Sequence, residues 1–231
     1  MKSRLSAAFL ATIVAAVTVR AAANAAVIGI YRNNMEADGL RGQIAKLDGD
    51  RCGRGGSSTA FRIVVGKATR QCSYRTPVIG RDLEISTVGR LLSNTPKAVA
   101  RNAYLALNLR AGGNGARYQL AAFPLQRKAQ LRKVLPDGQV KYLHVEKGVR
   151  LRGANRANDL RLRAFNITSG QDKGKCAVVA FVGNQRIAEV TDDAAGFLHG
   201  RAAGFSLGAV GNAKGAVGSF DDVVVRVPSP Y

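Results

Sequence analysis

Ala177-Val-Val-Ala-Phe-Val-Gly-Asn-Gln-Arg-Ile-Ala-Glu-Val-Thr-Asp-Asp193, followed after a Gly-rich stretch by Gly218-Ser-Phe-Asp-Asp-Val-Val-Val-Arg-Val227, decides the fold. A strand ending at Val182, a two-residue Gly183-Asn184 turn and a second strand Arg186–Val190 make a hairpin, because both turn residues accept positive φ. Ala202–Val210 and Ser219–Val227 are two further strand-length apolar segments. Short strands in such close succession predict an all-β sandwich or barrel.

Working outward, alternation of apolar and polar residues is the main rhythm of the chain. Leu83, Ile85 and Thr87 alternate with Asp82, Glu84 and Ser86; Leu105, Leu107 and Leu109 with Tyr104, Ala106 and Asn108; Leu160, Leu162 and Ala164 with Arg161, Arg163 and Phe165. Each segment has one core face and one face of different character. Gly112-Gly-Asn-Gly115 and Asp137-Gly138 read as turns between strands. A short helical pattern is confined to Asn94–Asn102, with Pro96 suited to its first turn. Val27–Gly80 is expected to supply the strands that complete the sandwich.

The order of the C-terminal elements resembles concanavalin A-like (laminin-G-like) jelly-roll domains. The pieces that carry the likeness are Phe181–Asp192, Gly200-Arg-Ala-Ala-Gly-Phe205 and Phe220-Asp-Asp-Val223, with weaker support from Asp82-Leu-Glu-Ile-Ser86 and Leu160-Arg-Leu-Arg-Ala164. The resemblance implies an all-β, two-sheet jelly-roll sandwich of the concanavalin A-like type. It specifies fold far better than ligand, because one fold carries many functions.

The N-terminus reads as a secretory signal over residues 1–25. Lys2 and Arg4 precede the uncharged apolar run Leu5–Val19, and Ala23-Asn-Ala25 is a small-residue cleavage site. An uncleaved membrane anchor is the alternative, but the run is short for a span of about 20 residues. The expectation is a secreted, extracellular or cell-wall-associated monomer formed by one β-sandwich domain over residues 26–231, touching a membrane only through an uncleaved signal segment. Three cysteines allow three single pairings. Export favours oxidation, and Cys52 with Cys72, flanking a Gly-rich turn and the strand Ala60–Val65, is the pair chosen, as a staple of that hairpin. Cys176 is then a buried small hydrophobe.

Charge is the second strong signal. The formal net charge is +20, a field that attracts anionic partners. Twelve Lys or Arg against three acids lie between Arg117 and Arg163. If Leu160, Leu162, Ala129 and Leu131 face the core, then Arg161, Arg163, Lys128 and Arg132 point out. The resemblance implies a concave sheet or rim that contacts glycans. Tyr104, Asn108, Arg110, Lys128, Arg132, Arg161 and Arg163 are therefore assigned to one groove for an acidic polysaccharide or wall polymer. The plainer reading has these charges solvating a sheet and discouraging edge pairing. With no Trp, six Tyr and eight Phe, aromatic platforms are few, so an anionic glycan is favoured over a neutral one; export disfavours nucleic acid.

Catalysis finds little support. Resembling glucanases carry Glu-x-Asp-x-x-Glu on one strand, and glycosidases need a carboxylate pair across the scissile bond; Asp82 and Glu84 lack a third partner. His144 and His199 are the two histidines, and Gly-x-Ser-x-Gly is absent. A diverged glycoside hydrolase or lyase and a structural or partner-binding extracellular protein are the rival readings. Zinc is disfavoured by scattered Cys and His. The resemblance implies a possible structural calcium ion held by Asp221, whose plainer role is to cap a turn. Asn166-Ile-Thr168 matches a glycosylation sequon.

Overall fold

The computed structural model describes residues 27–33, 44–48, 52–57, 60–66, 70–193 and 200–228. The signal segment, its cleavage site and His199 lie outside these residues. Fifteen described strands form two antiparallel sheets. In the first, the order is β13 (Gln185–Asp192), β12 (Cys176–Val182), β11 (Asn158–Asn166), β6 (Leu83–Leu91), β15 (Val217–Pro228), β4 (Ala60–Val65) and β3 (Cys52–Ser57), with β1 (Val27–Asn33) also on β15. In the second, it is β10 (Val140–Lys147), β9 (Lys128–Val134), β8 (Arg117–Phe123), β7 (Ala103–Ala111), β14 (Ala202–Ala209), β5 (Gln71–Ile79) and β2 (Ala45–Asp48). This is the expected jelly-roll sandwich.

The alternation read from the sequence sets the layers. Leu105, Leu107, Leu109, Leu120, Leu131, Phe205 and Leu207 from the second sheet meet Leu83, Ile85, Leu160, Leu162, Val178, Phe220 and Val225 from the first in one core. Phe205 sits at its aromatic centre, with ring centroids 5.4 Å from Phe61 and 4.8 Å from Phe220. The helical pattern forms one short turn, Lys97–Ala100, opened by Pro96.

The C-terminal motif has a mechanical meaning. In Phe220-Asp-Asp-Val223, Asp222 takes φ of +46° and the pairing with β6 skips between Asp221 and Val224. This bulge inserts one residue, so that Phe220, Val223 and Val225 all face the core, each fully buried. Before the bulge β15 pairs with β4; after it, the same edge pairs with β1. The β12–β13 hairpin closes over two residues, with Val182 opposite Gln185. Gly183 adopts φ of +55° and Asn184 is not among the positive-φ residues. Positive φ is therefore needed only at the first turn position, which glycine fills.

Cys52 and Cys72 are bonded, with Cα atoms 5.7 Å apart. The expected role as a hairpin staple is corrected: β4 and β5 diverge into different sheets, so the bond ties β3 of the first sheet to β5 of the second. Replacing both cysteines by serine is expected to lower stability by about 3 kcal/mol, from the chain entropy of a loop of this length. Urea denaturation would check it; an unchanged midpoint and slope would refute a stabilising role.

Candidate functional site

The outward face of the second sheet carries an unusual amount of polar chemistry for a buried surface. Asn108 on β7, Gln119 on β8, Ser206 on β14 and Ser73 on β5 are all fully buried, although they point away from the main core. Register explains their meeting: Asn108 lies opposite Gln119 across β7–β8, and Ser206 opposite Ser73 across β14–β5. Gln119 Nε2 donates to Asn108 Oδ1 at 2.6 Å and to Gln71 Oε1 at 3.2 Å. Asn108 Nδ2 donates to Ser206 Oγ at 2.5 Å, which donates to Ser73 Oγ at 2.8 Å. Gln71 Nε2 donates to Ser73 Oγ at 2.6 Å. Each buried polar group thus has a partner, as burial requires.

Two side chains of the cleft are mounted on this network. Arg132 Nε donates to Gln119 Oε1 at 2.7 Å, and its guanidinium lies 4.3 Å from the Tyr104 ring centroid. The Tyr104 hydroxyl donates to Gln71 Oε1 at 2.7 Å. Gly208 makes room for it, since a Cβ there would fall 2.5 Å from the Tyr104 hydroxyl. Arg132 is only 4% exposed, yet its terminal nitrogens have no acceptor among the described residues. A planar guanidinium held by its Nε and by an aromatic face presents its free edge in a fixed orientation.

That edge opens into a cleft of about 390 Å³. Tyr104, Gln119, Arg132 and Gln71 form its floor, with Arg70 and Arg117 alongside; Leu135, Pro136 and Gly138 of the β9–β10 turn form one wall, and Val140, Tyr142 and Val210 the rim. Tyr142 is 55% exposed. Arg117 Nη1 donates to the Gly115 carbonyl at 2.7 Å. None of the described lining residues is acidic. The arrangement suits an anion at the floor and an apolar ring face at the rim.

The seven residues assigned to one groove from the sequence fall in several places. Tyr104 and Arg132 line the cleft, and Asn108 lies in the network that supports it. Lys128 is on the same face, with Nζ 4.3 Å from the Phe123 ring centroid. Arg110 departs from the alternation: with φ of +52° it turns inward, 1% exposed, where Nη2 donates to Asn166 Oδ1 at 2.7 Å and to Asp82 Oδ1 at 3.3 Å. Arg161 and Arg163 do point outward, but from the opposite sheet, because β11 pairs with β6 and β12. Arg161 stacks 4.0 Å from the Phe181 ring centroid, and Arg163 binds Glu84 Oε2 at 2.7 and 3.0 Å. Alternation tells in from out. It does not tell one sheet from the other.

Asp82 and Glu84 are likewise neutralised by arginines rather than paired for chemistry: Asp82 by Arg110, and Glu84 by Arg163 and, at 3.5 Å, Arg226. Asp221 stands in the β15 bulge. Its carbonyl accepts from Thr87 Oγ1 at 2.7 Å, its Oδ1 from the Asp222 N–H at 2.8 Å, and its Oδ2 lies 3.8 Å from Arg90 Nη1. Among the described residues no group of three or more His, Cys, Asp or Glu converges on a metal position. Calcium takes six to eight oxygens; among the described residues the carboxylate of Asp221 faces Arg90.

Sequence reasoning missed Gln71 and Gln119; Arg117 was counted in the basic run and Tyr142 among the possible aromatic platforms, but neither was assigned to the groove. Gln119 was within reach of the alternation on β8. Gln71 was not, because its place depends on which strand lies beside β14.

No family model matches the chain, and no curated protein matches it. Solved structures do. A carbohydrate binding module, CBM66, from Bacillus subtilis superposes with a TM-score of 0.58 at 11% identity, covering 78% of this chain and 93% of that one. A Bacillus subtilis protein of unknown function with a galectin-like fold gives 0.59 at 14% identity, covering 88% and 100%. The exoplasmic/lumenal domain of VIP36, in a form bound to Ca²⁺ and Man3GlcNAc, gives 0.55 at 10% identity, covering 89% and 91%. At these identities the likeness establishes a lectin-like β-sandwich fold.

Cys176 is buried beside Tyr118, and burial pushes its thiol up to about 11 from 9.0. Below pH 9 both folded and unfolded chains carry the neutral thiol; above it the unfolded chain ionises first, so stability falls until pH reaches about 11. The native protein is expected to resist iodoacetamide at Cys176 at pH 8 and to react once denatured. Rapid native labelling, read by mass spectrometry, would contradict this burial.

Proposed function

We propose that the chain is a secreted, non-catalytic carbohydrate-recognition module, built on the concanavalin A-like (laminin-G-like) variant of the sandwich, that binds an anionic glycan or wall polymer in the cleft of the second sheet. The observation that carries the reading is Arg132: a buried guanidinium, oriented by Gln119 and Tyr104, whose terminal nitrogens meet no protein acceptor among the described residues. A buried cation without a counter-charge is costly, and a ligand carboxylate or sulfate supplies the missing acceptor. Bidentate pairing of guanidinium and carboxylate is among the stronger hydrogen-bonding arrangements. The cleft volume falls within the range of small-ligand sites, and Tyr142 offers a half-exposed ring for a sugar face.

The fold neighbours support glycans as the ligand class, since a carbohydrate binding module and a mannose-oligosaccharide complex are among them. The signal-like N-terminus and the Cys52–Cys72 bond support export. Binding is favoured over glycoside hydrolysis because the described lining holds three arginines and no carboxylate, whereas that chemistry works with two carboxyl groups.

A glycan array with salt titration tests the proposal. Acidic glycans are expected to be retained and neutral ones not, with affinity falling as salt rises. Arg132→Lys, which keeps the charge but loses the fork, should weaken binding by about tenfold or more; Tyr142→Ala should weaken it by several-fold with unchanged stability. The Arg161→Ala/Arg163→Ala pair serves as control and should bind as the unaltered protein does. Equal retention of neutral and acidic glycans, or full binding by Arg132→Lys, would overturn the anionic reading.

A further inference from the structure

The face that carries the cleft continues along β9, where a second cationic cluster stands outside the cleft. Lys128, Gln130 and Arg132 alternate outward on this strand, and Lys147 of β10 lies directly opposite Lys128. The two lysines therefore project side by side from one face. Lys147 is exposed and Lys128 partly so; neither has an acidic partner among the described residues. Glu146, the nearest acid in the chain, is on the other face of β10, with its Oε2 3.1 Å from His144 Nε2. Asp137, at the far end of β9, is engaged by the Gln139 N–H at 2.9 Å.

The two clusters are physically joined. Lys128 Nζ lies over the Phe123 ring, the Phe123 and Tyr104 centroids are 5.3 Å apart, and the Arg132 guanidinium lies over Tyr104. Two cations thus cover a buried aromatic pair, each held in place by a ring. Burial, then Lys147, then Arg132 lower the pKa of Lys128, as expected of like charges crowded together without an anion. Between them, Gln130 Oε1 is buried with no donor. The Cα atoms of Lys128 and Arg132 are four residues apart on an extended strand, about 13 Å.

We propose that Lys128 and Lys147 form a second anion subsite, so that the ligand of this face is a linear anionic polysaccharide spanning from Arg132 to the lysine pair. This rests on the cleft being a glycan site. A single acidic sugar reaches one cluster only, whereas a polymer with regularly placed carboxylates or sulfates engages both at once. The second contact is then intramolecular and multiplies affinity.

Size-defined oligogalacturonates, from disaccharide to octasaccharide, test the span by calorimetry at fixed salt. For the unaltered protein, affinity is expected to rise by about tenfold or more with length and to level off once both clusters are bridged. Lys128→Ala/Lys147→Ala should bind the disaccharide as well as the unaltered protein does, but lose the rise with length; Lys128→Gln/Lys147→Gln, which retains side-chain bulk over Phe123, should behave alike. A length dependence unchanged in both double variants, with Arg132→Lys still impaired, would overturn the second subsite and leave the cleft standing. No binding of any length by the unaltered protein would overturn the cleft reading and the subsite with it.

Discussion

Gln119 lies near the middle of the second sheet with its carboxamide used at both ends: Nε2 donates to Asn108 and Gln71, and Oε1 accepts from Arg132. Reversing that amide would set donor against donor at Arg132 Nε and acceptor against acceptor at Asn108 Oδ1. The network therefore has one low-energy arrangement, and the direction of the Arg132 guanidinium follows from it. A buried polar group left without a partner costs roughly 1–3 kcal/mol, so a change at Ser73, Asn108 or Ser206 is transmitted to the cleft floor without touching the cleft. What is ordinarily the solvated face of a sheet here behaves as a second, polar core, and the site is its exposed end.

This second core demands an unusual strand. All nine residues of β7 are buried, because its leucines face the first sheet while Tyr104, Ala106 and Asn108 face the network. β14, its neighbour, manages the same crowding with small residues: Gly204, where a Cβ would fall 2.1 Å from the Tyr74 carbonyl, and Gly208 beneath the Tyr104 hydroxyl. Gly204, in the stretch that marked the resemblance to jelly-rolls, is thus a packing requirement, as is Gly208 beyond it. Side chains at those two positions would push β5 away from β14 or lift Tyr104 from its place. Fold and site share these glycines, so neither can be altered independently there.

How far the sequence carried depended on whether the information was local. The Gly183-Asn184 hairpin, the strands around Leu105 and Leu160, and the inward set Ala129 and Leu131 were legible, since period-two alternation is a property of one strand. The disulfide partners were legible too, but not that their bond crosses between sheets, because the jump from β4 to β5 leaves no local signal. Arg161 and Arg163 show the same limit: their outward direction is in the strand, their sheet is in the topology. Arg110 fails for a different reason. A positive φ at a non-glycine residue interrupts the alternation, and no rule of composition puts an arginine there.

Arg110 and Arg132 are the instructive pair, being nearly equally buried and oppositely placed. Arg110 is turned into the interior, where Asp82 and Asn166 meet one of its nitrogens while Nε and Nη1 remain without partners. It ties the end of the second sheet to Asp82, just before β6, and to β11 of the first, and it is not among the residues lining the cleft. Arg132 has its Nε satisfied and its terminal nitrogens directed to a cleft. Burial alone therefore does not mark a candidate binding arginine, and neither does unmet hydrogen-bonding capacity. What distinguishes Arg132 is that the unmet edge coincides with an open volume and a continuous cationic face, so that the cost of leaving it unpaired is recoverable by a ligand. Applied along β9, the same criterion extends the face to Lys128 and Lys147, and it excludes Arg163, whose charge Glu84 already answers.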